Sequence, residues 1–185
     1  YPAASAVITS NLSSSYCQDA VSINLNGYPS GGTWGGSGVT GNVFDPALAS
    51  LGNTNIIYYY VDGNGCTAND TQSVNIHALP TITHSALADV CANSSQVSLS
   101  GATPTGGTYS GNFVNTNNNL FYPQTSGPGS HSVTYSYTDG NRCSNSQQIT
   151  QKVNTVPIAG FTLASATCLK DTITAVFSGQ AGVNA

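Results

Sequence analysis

The stretch INLNGYPSGGTWGGSG (residues 23–38) returns as VSLSGATPTGGTYSGN (97–112), and IIYYYVDGNGC (56–66) returns as VTYSYTDGNRC (133–143). A chain that repeats itself folds as copies of one unit, so the repeat governs every other reading. Pro2, Pro80 and Pro157 open successive units, and Cys17, Cys91 and Cys168 follow each of them at a similar distance. Cys66 and Cys143 recur 77 residues apart. The chain divides into two full repeats, 1–79 and 80–156, and a partial third, 157–185. That third piece stops near its second strand and is expected to be a truncated repeat, because a fraction of a domain cannot bury its own apolar face.

Within each repeat the apolar period is two. Val21, Ile23 and Leu25 alternate with polar residues in AVSINLNG (20–27), and Val97 and Leu99 do so in SQVSLSG (95–101). QSVNIHA (72–78) and QQITQKV (147–153) alternate in the same way. Such alternation marks half-buried strands. The Asp62-Gly63-Asn64-Gly65 and Asp139-Gly140-Asn141 stretches supply the small residues that tight hairpin turns require. DPALASLGN (45–53) reads as no more than a short helical turn. Several short strands per repeat, with turns between them, predict an all-β chain of tandem immunoglobulin-like antiparallel β-sandwich domains. The joining segments HALPTI and NTVPIA are short and contain proline, which predicts stiff connections.

Composition narrows the function. Only 5% of the 185 residues are charged, against about 25% in an ordinary domain. There is no Glu, Lys and Arg total 3, and the net charge is −4. A nucleic-acid partner needs clustered cations and is not expected. An anionic membrane surface is not expected on the same ground, and no apolar run reaches the ~20 residues of a membrane-spanning helix. No basic-then-apolar leader opens the chain, as expected of a mature or excised sequence. Ten tyrosines and 39% hydrophobic residues supply apolar surface for packed cores.

The regular cysteines predict disulfides in an oxidising compartment. Within-repeat bonds Cys17–Cys66 and Cys91–Cys143 are favoured, each closing a loop of about 50 residues and contributing roughly 3–4 kcal/mol. In a strictly immunoglobulin-like topology, however, the two cysteines of one repeat fall at opposite ends of the sandwich, and an inter-domain Cys17–Cys143 bond becomes the alternative. Cys168 is expected to be unpaired. No Cys-x-x-Cys occurs and His77, His84 and His131 keep no repeat register, so no metal site is expected.

Across residues 25–66, LNGYPSGGTWGGSGVTGNVFDPALASLGNTNIIYYYVDGNGC resembles the immunoglobulin-like and PKD-like repeats of very large Bacteroidota cell-surface proteins, of the gliding and adhesin type exported by the type IX route. The second repeat departs from it: Tyr109 stands for Trp34 and Arg142 for Gly65. PIAGFTLASATC (157–168) is similar to the opening of a PKD-like module. The resemblance implies a non-catalytic extracellular structural protein, the stalk of a surface adhesin or a fibre. The implied partners are neighbouring repeats of the same polypeptide; separately, strand edges with almost no Lys or Glu to block pairing predict self-association into fibres, and a binding role would take a surface glycan or protein as ligand. A carbohydrate- or protein-binding module is the alternative function.

Individual motifs divide between scaffold and site. GGTWGGSGVTGNVFDP (31–46) has six glycines but no Gly-Lys-[Ser/Thr] and no following helix, so a phosphate cradle is not expected. Trp34 reads first as a core plug, as Tyr109 in its place suggests, and second as a ligand-facing aromatic. The Asp62 and Asp139 turns read as hairpins before calcium sites, because a calcium ion needs six or more oxygen ligands and each turn offers one carboxylate. Seven Asp and three scattered His form no catalytic constellation, and no Gly-x-Ser-x-Gly elbow occurs, so neither an enzyme nor a cofactor is expected. Thr172, in Asp-Thr-Ile, is a candidate for O-glycosylation implied by the same resemblance.

Overall fold

The computed structural model describes residues 3–163 and 175–177. The described residues are nearly all β, with one 3-10 turn at Pro46–Leu48 and one helical turn at Pro123–Ser126 among them. No helix among the described residues is long and apolar enough to cross a membrane. Two compact units form: Tyr1–Thr83 with Pro104–Gly107 and Ser136–Ser146, and His84–Thr103 with Thr108–Tyr135 and Gln147–Ala185. The tip of the second repeat's long hairpin therefore belongs to the first unit.

The first repeat contains β1 (Val7–Ile8), β2 (Ser15–Cys17), β3 (Ile23–Asn24), β4 (Gly27–Tyr28), β5 (Thr33–Gly35), β6 (Val39–Thr40), β7 (Val43–Phe44), β8 (Gly52–Val61) and β9 (Thr67–His77). One sheet runs in the order β2-β9-β8-β5, a second in the order β3-β7-β6, and β1 pairs with β4. Ile56 and Tyr58 of β8 and Val74 and Ile76 of β9 are buried, while Tyr59 and Val61 are exposed. That alternation turns one face of the long hairpin inward. It meets Leu12, Leu25, Phe44 and Ala49 in one apolar cluster, giving a sandwich-like packing of the two sheets.

The second repeat copies this order with β10 (Thr83–His84), β11 (Val90–Cys91), β12 (Val97–Ser98), β13 (Ala102–Thr103), β14 (Thr108–Ser110), β15 (Val114–Asn115), β16 (Leu120–Phe121), β17 (Gly129–Thr138) and β18 (Ser144–Asn154). Its sheets are β11-β18-β17-β14, β12-β16-β15 and β10-β13. Leu99, Tyr109, Phe121, Val133, Tyr135 and Val153 are buried. Gln151 is buried among them, and its amide donates to the carbonyls of Ala88 (2.8 Å) and Lys152 (3.1 Å). Those bonds offset its desolvation. On the surface, hydrogen bonds from Lys152 and Asn154 hold the Asp89 carboxyl below its ordinary range. In the third piece, β19 (Phe161–Leu163) pairs antiparallel with β20 (Ala175–Phe177).

The structure departs from the sequence expectation in two ways. The sheets are not purely antiparallel: β2 runs parallel to β9, with Cys17 opposite His77, and β11 runs parallel to β18, with Cys91 opposite Asn154. In addition, Val21 is 84% exposed and lies outside a strand. A turn closed by Ala20 N–H donating to the Cys17 carbonyl releases the chain there, so the inward alternation begins only at Ile23.

Glycines sit where backbones approach closely. Gly36 has φ +129°, and a Cβ there would run into the Asn55 carbonyl oxygen. Its counterpart Gly111, at φ +142°, would place a Cβ 2.8 Å from the Ser132 carbonyl oxygen. Both repeats thus use a glycine where the sharp bend after β5 or β14 crosses the long hairpin.

Candidate functional site

The turns following β8 and β17 are built alike. Asp62 N–H donates to the Cys66 carbonyl (2.9 Å), and its Oδ1 accepts from the N–H groups of Asn64 (2.9 Å) and Cys66 (2.8 Å). Asp139 repeats this with Cys143 (2.9 Å), Asn141 (2.9 Å) and again Cys143 (2.9 Å). Each carboxylate holds its turn closed through two backbone donors. Among the described residues no three His, Cys or Asp side chains gather as a metal site would need.

The favoured cysteine pairing is corrected. Cys17 is bonded to Cys143, with Cα atoms 5.5 Å apart, and Cys66 and Cys91 are exposed free thiols. The sheet geometry forbids the within-repeat bonds. Cys17 lies opposite His77, the last residue of β9, whereas Cys66 immediately precedes Thr67, its first. Ten strand residues separate the two ends, roughly 33 Å at ~3.3 Å each, and a disulfide tolerates at most ~7 Å between Cα atoms. Cys91 and Cys143 are held apart along β18 in the same way. Cys168 and Thr172 lie outside the described residues.

Trp34 pairs with Tyr58 across β5 and β8, and their rings are 4.6 Å apart at 42°. The indole packs against the apolar cluster but stays only half-buried. The Tyr58 hydroxyl accepts from Gly32 N–H (2.8 Å) and donates to the Pro29 carbonyl, which fixes the glycine loop over the ring. Gly32 has no room for a Cβ, which would strike that hydroxyl and the Tyr59 carbonyl. The result is a cleft of about 560 Å³ with Trp34 and Tyr58 on its wall and the exposed side chains of Asn26, Ser30, Thr33 and Asn42 around it. Among the described residues no charged side chain lines it.

The matching place in the second repeat is closed. Tyr109 and Tyr135 lie 4.8 Å apart, but Tyr109 is only 3% exposed. His84 covers it edge-on at 5.6 Å, with Nε2 2.7 Å from the Tyr109 hydroxyl. Burial pushes the Tyr109 phenol above its ordinary range, opposed by a backbone hydrogen bond from the Ala102 side and reinforced by Tyr135. In the first repeat the corresponding strand position is Ile8, an aliphatic side chain packed against the apolar cluster. Reading the sequence named Trp34 as the ligand-facing aromatic, with the tyrosines only as a group. The sequence signal for its companion was the alignment of Tyr58 with Tyr135, whereas Asn26 and Asn42 carried none.

Comparison with models of known protein families finds no match to the chain, and a search of curated proteins finds none either.

Proposed function

We propose that the chain is a segment of a non-catalytic extracellular stalk built from tandem immunoglobulin-like β-sandwiches, whose work is mechanical. The observation that carries this reading is the Cys17–Cys143 bond, which joins the early cysteine of one sequence repeat to the late cysteine of the next. By the same register, exposed Cys66 and Cys91 are the positions at which a preceding and a following repeat would be stapled. A cross-repeat bond is wasted on a domain that acts alone and useful in a chain under tension. Its oxidised state also fits an oxidising compartment.

Pulling the chain by its ends tests the reading. The bond shields the 126-residue separation between its cysteines from extension. Oxidised molecules therefore fall short of reduced ones by roughly 450 Å of contour at ~3.6 Å per residue. Equal contour lengths in the two states would remove the mechanical role.

A further inference from the structure

We infer that the cleft of the first repeat is a binding site for an uncharged pyranose sugar, with Trp34 as the stacking platform. Four observations carry it. The cleft holds about 560 Å³, within the ~300–1,000 Å³ of small-ligand sites. Trp34 is only half-buried although it packs on Tyr58 and the core, so part of its indole faces the cleft. The polar groups around it are two amides, Asn26 and Asn42, and two hydroxyls, Ser30 and Thr33, which donate and accept as sugar hydroxyls require. Finally, the second repeat keeps the aromatic pair but caps it with His84, so an open aromatic is not a requirement of the fold.

The lining also selects the ligand class. The negative face of the indole attracts the weakly positive C–H face of a pyranose ring. A sulfated, phosphorylated or uronic sugar, or a nucleotide, brings an anion that no cation among the described lining residues would meet, and a cationic ligand would find no carboxylate among them. The glycines that shape the cleft keep the loop low beside the ring, because Gly32 is pressed against Tyr58 and Tyr59. The site rests on the first repeat alone and stands whether or not the chain is a stalk.

Trp34 is the only tryptophan, so its fluorescence reads the site directly. Titrating the 185-residue chain with neutral cello-, xylo-, manno-, galacto- and chito-oligosaccharides should give a saturable emission change with at least one series. One aromatic platform in open water predicts a Kd on the order of 1 mM. By calorimetry, Trp34→Ala should abolish that binding. Because Trp34 touches the core, the exposed double variant Asn26→Ala/Asn42→Ala serves as the second test and should weaken binding by about tenfold or more, one or two hydrogen bonds' worth. Tyr109→Phe should bind as the parent does. No emission change with any series, undiminished binding by folded Trp34→Ala or by the double variant, or tighter binding of an acidic sugar than of its neutral counterpart would each overturn the proposal.

Discussion

Gly36 and Arg142 show opposite sides of one constraint. Gly36 combines φ +129° with a backbone oxygen where its Cβ would sit, so Gly36→Ala should cost about 3 kcal/mol in urea unfolding, from strain and overlap together. Gly63→Ala, with open space around the Cβ and no unusual φ, should cost little and is the matched control. Arg142 holds φ +68° at the turn position where the first repeat has Gly65 at φ +83°. A side chain in that region is strained by about 1–2 kcal/mol. Arg142→Gly should therefore stabilise the protein by up to about 1 kcal/mol once the greater freedom of the unfolded glycine is counted. Tyr109 makes a pH prediction. Its phenol is raised in the fold, so the stability it lends is complete below the ordinary tyrosine range and is lost as pH climbs through the elevated value. Alkaline unfolding should be less steep in Tyr109→Phe than in the parent.

At the scale of elements, the long hairpins govern the architecture and the short strands follow. β8 and β9 pair over ten residues, Gly52 opposite Ile76 through Val61 opposite Thr67. The alternation in β9 was readable at Val74 and Ile76, whereas the IIYYYV run of β8 has no such period and shows itself as a strand by its β-branched and aromatic residues. Of the two-residue strands, β3 and β12 fall within stretches whose alternation was readable, but the Ser-Tyr-Cys of β2 gives no hint that it joins β9 in parallel. Topology, not local pattern, decides that pairing, since the chain must pass from one sheet to the other before returning. The same limit applies to the cleft: Trp34 stood out by composition, whereas Asn26 and Asn42 reach it only because β4 and the turn between β6 and β7 converge on β5. The hairpin turn was readable in the Asp-Gly-Asn-Gly residues, and its carboxylate has a measurable role. Asp62→Ala removes the acceptor of two backbone N–H groups and should cost about 1–2 kcal/mol, read from the denaturation midpoint. The aromatic run IIYYYV (56–61) lies in β8, an internal strand, and the edges of that sheet are three-residue strands. Short edges give little template for the fibre-like pairing that so uncharged a sequence would otherwise invite.

Across the whole molecule, stability and proposed function meet in the disulfide. Closing a loop whose ends are 126 residues apart restricts the unfolded chain by about 5 kcal/mol on chain-entropy arithmetic. Reduction should lower the unfolding free energy by as much as that, while Cys66→Ser and Cys91→Ser, at exposed free thiols, should leave it nearly unchanged. The sequence reading favoured bonds inside each repeat although strand direction in an immunoglobulin-like topology already pointed to the alternative, Cys17–Cys143, which is the bond the structure shows. Once Cys17 stands opposite His77 and Cys66 beside Thr67, the length of β9 separates them. Non-reducing peptide mapping of the oxidised chain, with free thiols alkylated first, decides the matter. It should yield one peptide linking Cys17 to Cys143, with Cys66 and Cys91 recovered alkylated. A peptide linking Cys17 to Cys66, or Cys91 to Cys143, would contradict both the fold at the sheet ends and the stapled array proposed from it.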